Sequence, residues 1–207
     1  MAKQINPTRM ELTRLKRRLR TAARGHKLLK DKQNGMTKQF MEQIRLNRQL
    51  RERVEAELAE AAKQFREASS VMGDKELAEA LMLPAGEIGV AGGSGNVMSV
   101  RVPKLSSDGS LAGTLPYGFA DTSPELDAAT LSMVRLFPTL LRLAECEKTC
   151  DMLAAEIEKT RRRVNALEHV MIPEMQRNIK FITMKLDDNE RQNITRLMKV
   201  KDVIKER

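Results

Sequence analysis

The chain has very few aromatic residues for its length. Its 207 residues include no Trp, one Tyr and five Phe. A compact domain of this size normally builds its core with more aromatic volume. Leu, Ile, Met, Val and Ala must supply the apolar contacts instead, and these side chains suit the narrow interface between paired helices. The composition therefore favours a helical rod over a globular core.

Long hydrophobic runs and cysteines are also scarce. The sequence has no run of about 18 apolar residues, so it predicts no membrane-spanning helix. Its first ten residues, MAKQINPTRM, lack the apolar stretch of a secretory signal. Only two cysteines are present, which is typical of a protein from a reducing compartment. We therefore expect a cytoplasmic protein.

Motifs for catalysis and for cofactor or metal binding are absent as well. No G-x-x-x-x-G-K-[ST] loop occurs, so we expect no phosphate cradle for ATP and no cofactor. His26 and His169 are the only histidines, and we interpret His26 as an interface residue, not a metal ligand. Cys146 and Cys150, four positions apart, favour a reduced structural pair. The acids Asp187–Asp188 have no companion nucleophile or base, so the chain alone is not expected to be an enzyme.

The sequence does contain two long segments with coiled-coil spacing, residues 8–83 and 124–205. In both segments apolar residues recur at alternating steps of three and four, which lines them along one helical face. The residues assigned to this interface include Leu29, Met36, Phe40, Val54, Leu58 and Phe65 in the first segment, and Leu153, Ile157, Val164, Leu167, Ile179, Ile182, Leu186 and Leu197 in the second.

Capping signals mark where these helices begin and end. Asn6–Pro7 and Ser123–Pro124 combine a capping side chain with a proline, the pattern of a helix start. Pro84 and Gly86 form the matching stop signal for the first segment. The two helices would each be about 110 to 120 Å long at roughly 1.5 Å per residue. Near-equal lengths favour an antiparallel hairpin in which both chain termini meet at one tip.

The apolar spacing slips at two places. An extra step of four separates Val54 from Leu58, and two consecutive steps of four flank Pro173. Such insertions locally unwind a coiled coil. A proline inside a helix removes a backbone hydrogen bond and kinks the helix, so Pro138 and Pro173 predict a bend. The predicted fold is therefore all-α, a long bent antiparallel coiled coil of two helices with an insertion between them.

Two other arrangements fit the same apolar pattern. The helices could pair with other chains, or they could form a compact bundle broken at Gly73 and at the prolines. Heptads sustained over more than about 25 residues favour the intramolecular coiled coil. The sequence thus divides into an N-terminal helix (1–83), a middle segment (84–122) and a C-terminal helix (123–207).

The middle segment holds eight of the eleven glycines and three of the seven prolines, so helical periodicity stops there. Residues 96–105 have the composition of a strand, 106–110 carry a turn signal, and 111–119 could form the returning strand. This pattern predicts a short β-hairpin, and a disordered linker is the alternative. The run GVAGGSG at 89–95 is expected to be mobile in either case.

Positive charge concentrates at both ends of the sequence. Lys and Arg outnumber Asp and Glu by 15 to 4 over residues 1–52 and by 12 to 7 over 161–207, whereas residues 53–160 are net negative. An antiparallel hairpin brings both basic blocks to one tip, which calls for an acidic or polyanionic partner. That partner could be nucleic acid, bound through its phosphates, or an acidic protein sleeve. No aromatic platform for stacking single-stranded bases accompanies the basic residues.

Two long motifs resemble the end motifs of the D subunit of the V-type/A-type ATPases. Residues 6–32 read NPTRMELTRLKRRLRTAARGHKLLKDK, and residues 161–201 begin RRRVNALEHVMIPEMQRNIKFI. Between them lies the strand-like VRVP at 100–103, so the similarity covers nearly the whole chain in the right order. Heptad repeats alone would not reproduce two such motifs. The sequence is therefore identified as a member of this family.

The resemblance implies a central rotor shaft. A non-catalytic subunit of this kind would transmit torque between an ATP-hydrolysing or ATP-synthesising head and the ion-translocating ring in the membrane. Its paired helices would insert among the catalytic A and non-catalytic B subunits of the head. Its middle portion would meet the small F subunit of the stalk and the adaptor of the membrane ring, so the chain would be cytoplasmic and peripheral to the membrane. The alternative function is a basic coiled-coil arm that binds nucleic acid.

The same resemblance assigns residues to the interface with the catalytic head. In the N-terminal helix these are Pro7, Thr8, Arg9, Leu12, Leu15, Arg18, Leu19 and Lys30. In the C-terminal helix they are Arg163, Asn165, Ile172, Pro173, Lys180, Glu190, Arg191 and Lys199. Two places depart from the family pattern: Asn34–Gly35 replaces a more helix-favouring pair, and His169 stands where an aromatic is common. A helical Gly costs about 1 kcal/mol relative to Ala, so the first departure affects local stiffness.

Overall fold

The computed structural model describes residues 6–82, 88–107, 115, 117–118 and 122–205, without the side chain of Val203. Its elements in chain order are α1 (Arg9–Met72), α2 (Asp74–Leu81), β1 (Val90–Val97), β2 (Val100–Ser107), α3 (Pro124–Ala166), a π turn (Leu167–Met171) and α4 (Ile172–Lys205). No described helix is long and apolar enough to span a membrane.

The predicted fold class is confirmed, because a long N-terminal helix packs against long C-terminal helices and a two-stranded hairpin lies between them in sequence. The chain divides into two compact units. The terminal unit consists of Met1–Gly35 and Glu158–Arg207, and the central unit consists of Met36–Ile157.

In the terminal unit, the first part of α1 runs antiparallel to the end of α3 and to α4. The guanidinium of Arg9 pairs with Glu190, and His26 Nε2 lies 3.1 Å from Glu168 Oε2. Residue numbers therefore rise along α1 while they fall along its partner. The buried apolar side chains of this unit are Leu15, Val164 and Ile182.

The start of α1 is capped by Thr8, which corrects the predicted cap at Asn6. The Glu11 N–H donates to Thr8 Oγ1 at 3.2 Å, and the Leu12 N–H donates to the Thr8 carbonyl at 3.0 Å. Thr8 and Glu11 have the T-x-x-E spacing of a capping box, in which side chains satisfy the amides of the first turn. Pro7 therefore precedes the cap and does not begin the helix.

In the central unit, α1 runs antiparallel to α3. Ser132 Oγ donates to Gln64 Oε1 at 2.8 Å, and the guanidinium of Arg51 lies 2.6 Å from the carboxylate of Glu147. This unit contains two apolar clusters. One comprises Ala68, Met72, Leu77, Tyr117 and Leu126, and the other comprises Met36, Val100, Val102 and Leu153. The hairpin therefore shares its core with both long helices.

The first long helix is interrupted at Gly73, although the sequence predicted one helix through residue 83. Gly73 has φ 82° and ψ 156°, a backbone region that is essentially restricted to glycine. After this break α2 begins at Asp74, and its Leu77 packs in the cluster with Ala68 and Leu126. The step from Met72 to the next buried apolar residue, Leu77, is five, which departs from the coiled-coil spacing, but the sequence prediction did not end the helix there. The predicted stop at Pro84 and Gly86 lies outside the described residues.

The β-hairpin lies earlier in the middle segment than the sequence predicted. Its turn is formed by Met98 and Ser99, with φ 50° and 70°, and the register pairs Val97 with Val100. Positive φ at both central residues is the type I′ geometry of a two-residue hairpin. The turn is therefore not at 106–110, and the predicted returning strand at 111–119 lies largely outside the described residues.

The glycine-rich run that the sequence predicted to be mobile forms most of β1. The register places Gly95 opposite Val102 and Gly93 opposite Lys104. A Cβ on Gly95 would lie 3.1 Å from Lys104 Cε, so the missing side chain leaves room for the Lys104 stem. Pairing with β2 therefore orders β1, although the glycine-rich composition of β1 favours flexibility.

Two features protect the outer edge of β2, the edge that faces away from β1. Hydrogen-bonded and non-hydrogen-bonded pairs alternate along the hairpin, starting with the hydrogen-bonded pair Val97 and Val100. Pro103 belongs to a non-hydrogen-bonded pair, so its backbone nitrogen faces away from β1 and its missing N–H removes no hydrogen bond between the strands. The outward N–H of Leu105 donates to the carboxylate of Glu145 on α3. This contact attaches the hairpin edge to the helix.

The slip predicted beside Pro173 coincides with the π turn. The Ile172 N–H donates to the carbonyl of Leu167, five residues back, and Pro173 follows immediately. Pro138 lies inside α3, which continues through it. Bending of the helices at these two prolines stays a prediction.

Candidate interaction surface

The residues that the resemblance assigns to the N-terminal helix divide between the helix interface and solvent. Leu15 is buried, and Leu12 and Leu19 are half-buried, because their spacing places them toward the partner helix. The exposed residues are Pro7, Thr8, Arg9, Arg18 and Lys30. The leucines therefore belong to the helix pair, and only the exposed positions can meet another protein.

The assigned residues of the C-terminal helices are mostly exposed. Ile172 and Pro173 are half-buried. The exposed residues are Arg163, Asn165, Lys180, Glu190, Arg191 and Lys199. The structure brings Glu190 together with Arg9. It also places Lys30 close enough to Glu168 to favour the charged form of that carboxyl.

Burial along the predicted coiled-coil interface is uneven. The buried members are Met36, Val54, Leu153, Val164 and Ile182, and the half-buried members are Leu29, Phe40, Ile157, Leu167, Ile179 and Leu186. Leu58 and Phe65 are 41% and 40% exposed, and Leu197 is 69% exposed.

Small and polar residues take the inner positions between Val54 and Met72. Ala61 and Ala68 are buried, and Glu57 and Gln64 are half-buried, so the covered face continues in regular steps of three and four. Gln64 accepts the hydrogen bond from Ser132. The apolar spacing in the sequence includes Ala61 and Ala68, but an apolar-only search selects Leu58 and Phe65 in place of the half-buried Glu57 and Gln64.

His26 forms a polar contact inside the helix interface of the terminal unit. Its side chain is 19% exposed, and its Nε2 lies 3.1 Å from Glu168 Oε2. The hydrogen bond from His26 lowers the pKa of Glu168, and the nearby charges of Lys30 and His169 act in the same direction. The prediction that His26 is an interface residue did not foresee this partner, since it required the register of the two helices.

The two cysteines are free thiols in the central unit. Cys146 Sγ lies 3.4 Å from the Gln43 carbonyl oxygen and donates toward it. Burial raises the pKa of Cys146 to about 11 and also raises the pKa of Cys150. Both shifts disfavour the thiolate, which is the nucleophilic and metal-binding form.

The single tyrosine is another buried polar group of the central unit. Tyr117 donates its hydroxyl to Asp127 Oδ1 at 2.8 Å. Desolvation raises the pKa of this phenol to about 12. Its role in the cluster with Met72 and Leu126 is structural, since the hydroxyl is satisfied inside the unit.

The last part of α4 extends past the described partner helix. Glu190 pairs with Arg9, the first residue of α1, and every described side chain from 191 to 205 is exposed. We call residues 191–205 the α4 extension. Its apolar side chains are 53 to 69% exposed and comprise Ile194, Leu197, Met198, Val200 and Ile204. Its basic side chains are Arg191, Arg196, Lys199, Lys201 and Lys205, against the single acid Asp202.

A basic face lies on the adjoining part of α1. Its members are the exposed side chains of Arg14, Lys16, Arg17 and Arg18. Met10 beside them is 83% exposed. Exposed apolar and basic side chains therefore occur together on both helices of the terminal unit.

These features define a coiled-coil protein with exposed apolar and basic side chains on the helices of its terminal unit. Among the described residues, no group of three or more His, Cys, Asp or Glu side chains could hold a metal ion. The family model for the ATP synthase D subunit matches residues 11–202. The chain belongs to this family.

Its relatives are similar over almost their whole lengths. The V-type ATP synthase D subunit of Thermoanaerobacter sp. (strain X514) is 54% identical over 201 residues, covering 97% of this chain and 96% of the relative. The D subunit of Acetivibrio thermocellus is 54% identical over 206 residues, covering 98% and 93%. That of Clostridium botulinum (strain ATCC 19397 / Type A) is 51% identical over 211 residues, covering 100% and 98%.

Proposed function

We propose that this chain is the non-catalytic central-stalk rotor of a V-type/A-type ATPase. In this role it transmits torque between the nucleotide-binding head and the ion-translocating ring in the membrane. The observation that carries the proposal is the α4 extension, a helix end whose apolar and basic side chains have no described partner in the chain. Family membership and the names of the relatives give the assembly in which such a partner would be found.

The α4 extension needs an enclosing partner for a physical reason. A single helix of about 15 residues is marginal in water, and its apolar side chains gain stability when another surface covers them. A ring formed by the A and B subunits of the head would cover all sides of the extension at once. The excess of basic side chains then favours acidic or polar groups on the inner wall of that ring.

The exposure of the basic side chains also suits rotation. Exposed ion pairs contribute only about 0 to 1 kcal/mol, whereas breaking a buried pair leaves an uncompensated charge. Arg14, Lys16, Arg17 and Arg18 are all exposed, so their contacts with a surrounding wall would be weak and numerous. Such contacts let the shaft turn without a deep energy minimum at any one angle.

Coupling requires that the head subunits meet different surfaces as the shaft turns. The helix pair carries different side chains on each side, so each orientation offers different contacts to a given nucleotide site. A difference in contact free energy between orientations is what shifts the conformation of that site. The functional information is therefore spread along the helices and does not reside in one residue.

The central unit is the proposed region for the remaining partners. The middle segment, residues 84–122, would face the membrane side and meet the small F subunit and the ring adaptor. The hairpin supports this role, because its attachment to Met36 and Leu153 gives a docking surface fixed to both long helices. The protein would then be peripheral to the membrane on its cytoplasmic side.

Removal of the α4 extension tests the proposal. A chain truncated after Glu190 is assembled with the other subunits, and ATP hydrolysis and ion transport are measured together. We expect transport per ATP to fall at least about fivefold, which corresponds to a modest coupling free energy. Unchanged transport per ATP would contradict the proposal.

Two partial variants separate the chemistry of the α4 extension. One replaces Ile194, Leu197 and Met198 by Ser, and the other replaces Arg196, Lys199 and Lys201 by Gln. As a matched control, Arg48 and Arg53, which are exposed on α1 of the central unit, are replaced by Gln. We expect both extension variants to lose coupling and the control to keep it.

Nucleic acid is a second candidate partner because its phosphates could bind the basic residues. The excess of Lys and Arg over residues 1–52 is the observation that favours it. Binding to duplex DNA would weaken steeply with salt, because each phosphate contact releases a counterion. Recovery of the native protein with nucleic acid and without ATPase subunits would replace the rotor proposal.

A further inference from the structure

The π turn of the terminal unit is not held by core packing. Its defining bond runs from the Ile172 N–H to the Leu167 carbonyl, five residues back, where an α-helix spans four. None of its five residues is buried, and Val170 and Met171 are 58% and 49% exposed. Single π turns are rare and occur frequently at functional sites. Burial of its own side chains therefore does not keep this turn in place.

The covered face of the C-terminal helices shifts by one residue across the π turn. Before it, Thr160 and Val164 are buried and Leu167 is half-buried, in steps of four and three. Regular alternation would continue at positions 171, 174, 178 and 181. After the turn the covered apolar positions are instead Met175, Ile179, Ile182 and Leu186, one residue later. The π turn absorbs an extra residue that would otherwise rotate α4 by about 100° about its axis.

Pro173 reduces the advantage of an uninterrupted α-helix at this place. In an α-helix the N–H of residue 173 would bond the carbonyl of His169, four residues back, and proline has no N–H. The N–H is missing in the π form as well, but in an α-helix the Pro173 ring also clashes with the carbonyl of residue 169. This clash is the reason that the proline lowers the advantage of the α form over the π form.

One polar contact ties the π turn to α1. Glu168, the second residue of the turn, accepts a hydrogen bond from His26, with 3.1 Å between Nε2 and Oε2. Lys30 on α1 and His169 on the turn itself are the other charged or titratable groups that act on this carboxylate. Because this contact lies where the covered face shifts, it can fix the rotation of α4 about its axis.

We propose that the π turn is a rotational joint at which α4 turns about its axis relative to α3, and that the His26–Glu168 hydrogen bond clamps this joint to α1. In the clamped form the turn absorbs the extra residue and Ile182 stays buried. When the clamp opens, the turn tightens toward an α-helix and α4 rotates, so that Ile182 leaves the interface. The open form is the minor state, because it exposes this apolar side chain. The proposed joint rests only on contacts within the terminal unit, so it does not depend on the proposed function.

Deletion of the extra residue tests the joint. Removing Val170 should convert the π turn to an α-helix and keep the later interface positions in place. We expect the melting temperature of the full chain to hold or rise, and amide hydrogen exchange over residues 164–172 to slow at least about tenfold. The matched control removes the exposed residue Arg20 from α1, where no π turn can absorb the loss.

The control deletion should have the opposite effect. Without Arg20, the preceding Leu12 and Leu15 rotate off the interface by about 100°, so the melting temperature should fall and exchange in the terminal unit should accelerate. The joint is refuted if removing Val170 destabilises the chain as much as removing Arg20. It is also refuted if the amides of the wild-type π turn exchange as slowly as those of the adjoining end of α3.

Substitution of His26 tests the clamp. His26→Ala removes the donor, whereas His26→Gln keeps a side-chain N–H that can reach the carboxylate. We expect His26→Ala to accelerate exchange severalfold within the π turn and not in the central unit, and His26→Gln to restore most of the protection. A uniform acceleration across the terminal unit, or no change in the turn, would show that the contact is not a clamp.

Discussion

Because the first long helix breaks at Gly73, replacing this glycine by alanine should destabilise the protein. The same replacement at Gly25 should stabilise it. Gly73→Ala places a Cβ on a residue with φ 82° and ψ 156°, which L-residues rarely adopt. The nearest atom to that Cβ would be Glu76 Oε2 at 3.6 Å, an ordinary contact, so the cost comes from the backbone. Such strain is worth about 1 to 3 kcal/mol.

The matched control is Gly25→Ala inside α1. A Cβ there would meet no atom within 4 Å, and alanine is the better helix former. The control should therefore stabilise the protein by about 0.5 to 1 kcal/mol. In a chain of this size 1 kcal/mol corresponds to roughly 2 to 4 °C in melting temperature. We expect a drop of about 2 to 12 °C for Gly73→Ala and a rise of about 1 to 4 °C for Gly25→Ala.

Thermal unfolding followed by far-UV circular dichroism measures these melting temperatures, and urea unfolding measures the corresponding free energies. The m-values should match that of the wild type, so that the midpoint shifts report stability. If Gly73→Ala were neutral or stabilising, α1 would continue as one helix through this position, as predicted from the sequence for residues 8–83. A loss of stability for both substitutions would instead point to an unrecognised contact at Gly25.

Three further outcomes follow from buried or paired groups. Leu153→Ala should lower the free energy of unfolding by about 2 to 5 kcal/mol in urea, because this fully buried side chain joins the hairpin to the helices. Because His26 lowers the pKa of Glu168, the carboxylate stabilises the fold above its unfolded pKa of about 4.3, and this contribution disappears as pH falls through the lower folded value. The stability difference between wild type and Glu168→Gln should therefore shrink in acid, and a constant difference would contradict the contact. Cys146, whose pKa is raised to about 11, should react with iodoacetamide at pH 8 at least about tenfold more slowly folded than unfolded.

The paired helices could be predicted from the sequence because their signal is repeated many times. Apolar residues recur at coiled-coil spacing along both segments, for example Val54 in the first and Leu153, Val164 and Ile182 in the second. Each of them supports the prediction of paired helices. Features set by a single residue were harder to predict. Gly73 interrupts the helix through its backbone conformation, whereas Gly25 stays inside α1, so a glycine in the sequence does not by itself mark a break.

Contacts between distant residues required the register of the helices. His26 and Glu168 are separated by 142 positions, so the sequence could identify each residue and not the pair. The hairpin was placed too late in the chain because glycine composition indicates flexibility when a strand has no known partner. The slip beside Pro173 was visible in the sequence, and the π turn that accommodates it was not, because a change of step has several structural solutions.

The hairpin has a further consequence for how the central unit folds. Val100 and Val102 pack against Met36 and Leu153, which lie more than 50 residues away in either direction along the chain. Bringing them together closes two long loops, whose entropy is lost before the apolar contacts form. Contacts of such high sequence separation slow folding. The two strands, which are neighbours in the sequence, can therefore pair early, whereas we expect the contacts that join the hairpin to both long helices to form later.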